Sequence, residues 1–443
     1  MSTDRNIDFV MRTVEKRDIR FIRLWFTDIL GNLKSFAISP EDLEVAFEEG
    51  IGFDGSAVNG FATLDESDLL AFPVAETFQA LPWRPDESGV ARVFCDIRTP
   101  KREHFEGDPR YCLERVFRAA DERGYVMNVG PKLEFYYFDN DLVPNPVDHA
   151  GYFEMTPSDS ANDLRRATIL TLEKMSIPVT YSYHAHGPSQ NGIELRHTEA
   201  VSCADNVMTA RFVIKQLAYE EGMYASFMPK PLADCPGSCL SLHQSLLDHD
   251  GNNLFWEKKT DENPTHLSAL CKSYIAGLIK YAPEYLLVTN PTVNSYKRLN
   301  SSADVPSHAG WGFRNRGALV RVPTYKPGKH LSTRLELRCP DPCANPYLAF
   351  AVTLAAGLKG VEEGLELPPE ADATGIPQHE VADSTLLPRT LGEAIEAFEG
   401  SELMRETLGE HIFEFLLDAK KGEWHEFSST VTDWEREHYY AGY

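Results

Sequence analysis

No stretch of this chain approaches the ~20 consecutive apolar residues that a membrane-spanning helix needs. The amino terminus, Met1-Ser2-Thr3-Asp4-Arg5-Asn6, has no apolar core of the kind a secretion signal carries. Basic residues are scarce too: 43 Lys and Arg stand against 67 Asp and Glu, a net charge of −24. Such a field repels nucleic-acid phosphates and anionic membranes and favours solubility. Among the eight cysteines, Cys235/Cys239 and Cys339/Cys343 are four residues apart, and neither pair has the tighter spacing and histidine partners that argue for zinc. They read as free thiols in a reducing compartment. Internal repeats and low-complexity tracts are missing as well. These absences leave a cytoplasmic protein of 443 residues, with the length for two or three domains.

The first hundred residues read as short strands and turns. Arg20–Asp28 alternates like a half-buried strand, Gly31-Asn32 supplies a turn, and Leu33–Ile38 follows at hairpin distance. Ser39-Pro40-Glu41-Asp42 has the chemistry of a helix start. A change comes at Thr99-Pro100, so the expected division is 1–100 and 101–443. Beyond it, helical spacing predicts helices over 109–123, 162–175, 205–221, 348–360 and 391–420, with Asp205 opening the third. Strands are predicted over 131–138 and 192–197. This order suits an α+β chain whose mixed antiparallel sheet carries its helices on the outside.

Uncommon residues then recur in blocks. Asn294-Ser295-Tyr296-Lys297-Arg298-Leu299 is followed by Arg334-Leu335-Glu336-Leu337-Arg338-Cys339-Pro340-Asp341-Pro342, which runs on to Asn345-Pro346-Tyr347. Phe53-Asp54-Gly55-Ser56, Phe227-Met228-Pro229-Lys230-Pro231 and His243-Gln244-Ser245-Leu246 stand upstream. Together these blocks resemble the type I glutamine synthetases, and the wording of many stretches is closest to actinobacterial paralogues, several of which join glutamate to amines other than ammonia. The resemblance implies a small N-terminal β-grasp domain, a large catalytic domain with a curved antiparallel sheet, and twelve subunits in two hexameric rings. It also implies ATP and Mg²⁺ or Mn²⁺ as cofactors, with a glutamate-like acid and an amine as substrates.

Residue by residue, the resemblance gives Asp54 to the amine site of a neighbouring subunit. Asp304 stands where the family's flap carries a proton-accepting glutamate. Gly237, Arg298 and Arg338 would hold the acid, and His243, Ser245, Arg316, Arg321 and Arg334 the nucleotide. The metal set is broken. Glu134 and Glu336 match one ligand of each of two metal sites, whereas Lys132, Ala185, Gly192 and Ser241 stand where the family has three glutamates and a histidine. Residues 132 and 134 of a strand share a face, so the Lys132 ammonium is expected beside Glu134, either replacing a metal ion electrostatically or reaching to solvent. His184, His186 and Glu194 could in principle rebuild a site, though histidines near a polar cleft usually serve as hydrogen-bonding groups. The segment Gly364–Pro369 has no tyrosine of the kind the family adenylylates. Three readings follow: a ligase with an altered, weak metal centre, a non-catalytic paralogue, or metal- and ATP-independent chemistry on a glutamate-like ligand.

Overall fold

The computed structural model describes residues 2–442 apart from 63–66, 85–87, 157–158, 160, 262, 264, 302–304, 325–327 and 373–385. The chain opens on a helix, α1 (Ser2–Lys16), that the strand-and-turn reading passed over. Ile7, Val10, Met11 and Val14 recur at helical spacing and pack into the N-terminal core. Next come β1 (Ile19–Thr27), β2 (Leu33–Ile38), α2 (Leu43–Glu49), β3 (Ile51–Asp54), β4 (Asp68–Pro73), β5 (Gln79–Ala80) and β6 (Gly89–Arg98). The predicted hairpin is present: Gly31 takes φ +86°, and the Asn32 amide donates to Asp28 Oδ1 at 2.8 Å. The sheet runs β2-β1-β6-β4-β3 with β5 beside β6, and β1 and β6 are parallel.

The larger part begins with α3 (Pro109–Asp121), β7 (Val126–Phe138), α4 (Asn162–Lys174), β8 (Val179–His184), β9 (Gln190–Leu195) and β10 (Thr198–Glu199). It continues through α5 (Ala200–Glu220), β11 (Tyr224–Ser226), β12 (Leu240–Leu247), α6 (Ala269–Lys280), α7 (Ala282–Thr289) and α8 (Val293–Leu299). Then follow β13 (Trp311–Phe313), β14 (Val320–Val322), β15 (Leu335–Leu337) and α9 (Pro346–Glu362). The chain closes with α10 (Leu391–Glu399), α11 (Glu402–Leu408), α12 (Glu410–Ser429) and α13 (Asp433–Tyr439). Its sheet runs β13-β14-β15-β12-β7-β9-β8, antiparallel except for β13–β14. The expected α+β architecture is what the structure has.

Two helix boundaries differ from expectation. The span 391–420 is broken into three helices, the last running on to Ser429, because Ser401 caps a new start and Gly409 turns the chain at φ +80°. The third predicted helix starts earlier, at Ala200, where the Glu199 carboxylate accepts from the Val201 and Ser202 amides. Asp205 is therefore no cap. It lies buried inside α5, accepting from Arg110 Nε and Nη2 at 3.2 Å each and from the Tyr347 hydroxyl at 2.6 Å. Arg110 also reaches Asp96 of β6 at 2.7 Å, so this cluster ties the N-terminal sheet to α3, α5 and α9. Asp205→Ala leaves Arg110 and Tyr347 unpartnered on that side, and is expected to cost about 3–5 kcal/mol, read as a lower urea midpoint. An unchanged midpoint would contradict this role.

Candidate active site

The site is set by strand register. On β7, Lys132 and Glu134 share a face. On one side, Ser241 of β12 stands opposite Lys132 and His243 opposite Gly130. Further along, Glu336 of β15 is opposite His243, and Arg321 of β14 opposite Glu336. On the other side, Gly192 of β9 is opposite Glu134, and Tyr183 of β8 is opposite Gly192.

That last pairing puts a phenol where the sequence shows only a gap. With no side chain at Gly192, the Tyr183 ring lies across it, and a Cβ there would fall 2.2 Å from Tyr183 Cζ. The Tyr183 hydroxyl donates to Glu134 Oε1 at 2.8 Å. The other carboxylate oxygen accepts from the Cys239 amide and thiol, both at 3.1 Å. The Lys132 ammonium is 3.5 Å from Oε1 and 4.7 Å from the centre of the Tyr183 ring. It lies beside Glu134, as the two-residue spacing implied. Burial works against charge on Glu134, but Lys132, Cys239 and Tyr183 together hold its proton affinity below the ordinary carboxylate range. Burial and the Glu134 charge push the Tyr183 hydroxyl and the Cys239 thiol up, so both stay protonated donors.

Glu336 is clasped in the same manner. Arg321 Nη1 donates to Oε2 at 2.6 Å and Arg338 Nη1 to Oε1 at 3.2 Å. Arg334 Nε donates to His243 Nδ1 at 2.8 Å, which assigns the imidazole proton to Nε2, facing Glu336 Oε1 at 3.7 Å. Burial opposes the Glu336 charge, yet His243, Arg338 and Arg321 hold it well below the usual carboxylate range. His197, edge-on to His243 with ring centres 6.0 Å apart, is kept neutral by burial, its value lowered to about 3.

Arg298 is 3% exposed, and its guanidinium donates to the Cys339 and Arg338 carbonyls at 2.7 and 3.1 Å. Gly237 lies beneath it, where a Cβ would fall 2.6 Å from Arg298 Cγ. Ser241, His243 and Ser245 alternate on one face of β12, and Ala185 is buried just past β8. The remaining predicted residues stand apart from these clusters. Arg316 is exposed on the turn between β13 and β14. Asp54 is exposed at the end of β3, its Oδ1 taking the Ser56 amide and hydroxyl at 2.9 and 2.6 Å. Asp304 falls outside the described residues.

The alternative set of His184, His186 and Glu194 is not brought together. Strand β8 ends at His184, so period-two alternation does not carry on to His186, which stacks on Tyr152 at 4.2 Å. Glu194 is paired in register with Lys132 and Tyr181. His184 instead meets Asp148 and Asp159, and among the described residues this is the one His/Cys/Asp/Glu group close enough to share an ion. Both its ring nitrogens face acceptors, Ala185 O and Asp148 Oδ1, each at 2.9 Å. Arg165 Nη1 donates to Asp159 Oδ1 at 3.0 Å. That is the bonding of an imidazolium with no lone pair for a metal. Burial disfavours the His184 charge, but Asp148 and the Ala185 carbonyl raise its proton affinity, while His184 and the Ser189 amide lower that of Asp148 against burial. The His184 contribution is complete below about pH 6.5 and fades as pH rises through the raised folded value; that of Asp148 is complete above about pH 4 and fades on acidification. Asp148→Asn is expected to flatten the stability difference between pH 6 and pH 8.5 measured by urea unfolding. A slope identical to that of the unmodified protein would contradict this.

Comparison with known proteins bears on this arrangement. The family model described as "Glutamine synthetase, catalytic domain" matches residues 106–439, and "Glutamine synthetase, beta-Grasp domain" matches residues 18–100. A glutamine synthetase of Mycobacterium tuberculosis is 49% identical over 442 residues, spanning 98% of each chain. One of Mycolicibacterium smegmatis is 47% identical, covering 98% of this chain and 99% of the relative. Among solved structures, one described as "GmaS/ADP complex-Conformation 1" superposes with a TM-score of 0.86 at 27% identity, covering 97% of this chain and 99% of that one.

Proposed function

The chain belongs to the glutamine synthetase family, and on that premise we propose that it joins a glutamate-like acid to ammonia or another amine with ATP, in a cleft where protein cations and donors stand in place of divalent ions. The observation that carries this reading is the complete engagement of Glu134 and Glu336 by Lys132, Tyr183, Cys239, Arg321, Arg338 and His243. Mg²⁺ and Mn²⁺ require oxygen-rich shells. Of the six positions the family uses, two carboxylates remain, and the space beside Gly192 holds the Tyr183 ring. These residues do not fit a pair of tightly held divalent ions, and charge neutralisation falls to the protein's own cations.

Charge balance supports an anionic ligand all the same. Lys132, Arg298, Arg321, Arg334 and Arg338 outnumber Glu134, Glu336 and the Asp341 carboxylate that faces Arg298, leaving a cationic surplus for a substrate carboxylate and for phosphates. In this reading Arg298 and Arg338 hold the acid, with Gly237 giving close backbone approach. Arg316, Arg321 and Arg334, with His243 and Ser245, hold the nucleotide and spread the charge of the transferring phosphoryl group. The similar GmaS structure is a complex with ADP, which supports nucleotide binding in this fold. Asp304 would take the proton from the amine, and Asp54 would complete a neighbour's amine site, as the exposed edge of β3 permits. A cytoplasmic dodecamer of two hexameric rings, with domains 1–100 and 101–443, belongs to the same proposal; light scattering tests the assembly.

A second reading, a paralogue that binds but does not turn over, is favoured by the saturation of Glu134. Calorimetric titration with a non-hydrolysable ATP analogue, first in EDTA and then with Mg²⁺, separates the cases when joined to an assay of ADP release with glutamate and amines. Binding in EDTA, changed less than about tenfold (1.4 kcal/mol) by Mg²⁺, together with turnover, is the expected result. Binding without turnover under any amine supports the second reading. Binding that requires Mg²⁺ overturns the substitution.

A further inference from the structure

A cavity of about 520 Å³ is lined from the β1–β2 turn, α5, Phe227, the end of α7 and the two residues 291–292 beyond it, the 342–348 segment and α12, and shares no lining residue with the Glu134 and Glu336 clusters. Its size is that of a small-molecule site. The wall is mostly apolar, with Leu287, Leu348 and Leu416 among its residues. Among the described residues it includes three cations, Arg211, Lys215 and Lys420, and no carboxylate.

Arg211 is 8% exposed, yet its partners are poor. Among the described residues, Nη2 donates to the Ala344 carbonyl at 2.7 Å, Nη1 reaches only Met208 Sδ at 3.8 Å, and Nε is buried with no partner. Burial draws its proton affinity down to about 10 against the weaker pull of Cys343 and Asp341. Lys420 is 7% exposed and has one carboxylate, Glu423 at 2.8 Å, which lies outside the wall. A buried guanidinium held by a single carbonyl is costly. This chain has 67 acidic residues with which to pair it, and none of those described stands in the wall.

We propose that this cavity binds a small organic carboxylate, the anion held by Arg211 and Lys420 and the apolar body packed against Leu287, Leu348 and Leu416. The Ala344 carbonyl that Arg211 grips belongs to the turn after Asp341, whose buried carboxylate faces Arg298. Occupancy is therefore transmitted to the turn that supports the acid-binding arginine, a coupling that rests on the reading of Arg298 given above. Direct binding does not depend on that reading.

Calorimetry on the full chain with hexanoate, hexanol and inorganic phosphate tests the site. The expected result is saturable hexanoate binding, at least tenfold weaker in Arg211→Met and in Lys420→Met, with weak phosphate binding and none of hexanol. Arg211→Met removes a poorly partnered buried charge at similar volume, so its urea midpoint should not fall; Lys420→Met gives an independent check. Hexanoate should also slow amide exchange in residues 341–345. No saturable binding, binding unchanged in both variants, or phosphate bound as tightly as hexanoate would overturn the proposal. If hexanoate binds and slows no exchange in 341–345, the coupling to Arg298 is overturned and the site stands.

Discussion

Lys132→Glu is expected to lose roughly 3–5 kcal/mol of stability in EDTA, and to regain part of that loss in Mg²⁺ or Mn²⁺. In the present structure one ammonium, one phenol and one thiol surround the Glu134 carboxylate. The substitution replaces the attracting charge with a repelling one in a buried setting, where like charges cannot both stay ionised cheaply. It also restores a second oxygen ligand beside Glu134, the condition under which a hard cation binds. The unmodified protein should show no thermal shift with either ion. Tyr183→Phe in the same background should enlarge the metal response, because the phenol hydroxyl occupies one of the Glu134 oxygens. A variant with unchanged stability and unchanged metal response would show that Lys132 is not the partner of Glu134 in solution.

Arg298→Ala is expected to weaken binding of a glutamate probe by at least about 100-fold, or 2.7 kcal/mol, and to destabilise the fold by about 3 kcal/mol. Two consequences follow from one guanidinium. Its donations to the Cys339 and Arg338 carbonyls hold the backbone that carries Arg338. It is also the first of the influences that offset the burial of Asp341, which is 0% exposed and otherwise held by Asn290, Ser295 and the Cys343 amide. Arg298→Lys should recover little binding, since a single ammonium cannot span two carbonyls as the planar fork does. Wild-type affinity in Arg298→Ala, measured by calorimetry with glutamate, would remove Arg298 from the acid site.

Much of the fold was legible from the sequence because its strands alternate and its helices carry their own stops. The hairpin at Gly31-Asn32 and the helix from Pro109 follow from local chemistry alone. Helix α1 was legible in principle through Val10, Met11 and Val14, and was masked by the strand-rich segment behind it. Asp205 misled because an acid at the head of an apolar run looks like a cap, whereas α5 is buried nearly all round and gives no polar face to mark its start.

At the candidate site, the family resemblance of their sequence blocks pointed to the arginines, and strand parity placed Lys132 beside Glu134. Tyr183 could not. Its role depends on three strands in register, with a glycine in the middle strand that lets the ring cross to Glu134. Parity failed for His184 and His186 because the strand ends between them. The Arg211 cavity is assembled from six separated segments, and sequence spacing holds no trace of it.

The most direct test of the central claim is a titration of the purified protein with Mn²⁺, followed by electron paramagnetic resonance of the free ion, with and without glutamate. Resident cations at Glu134 and Glu336 lead to no saturable Mn²⁺ uptake up to millimolar concentration, and to uptake appearing in Lys132→Glu. Two saturable sites per chain in the unmodified protein, filled at micromolar Mn²⁺, would contradict the account.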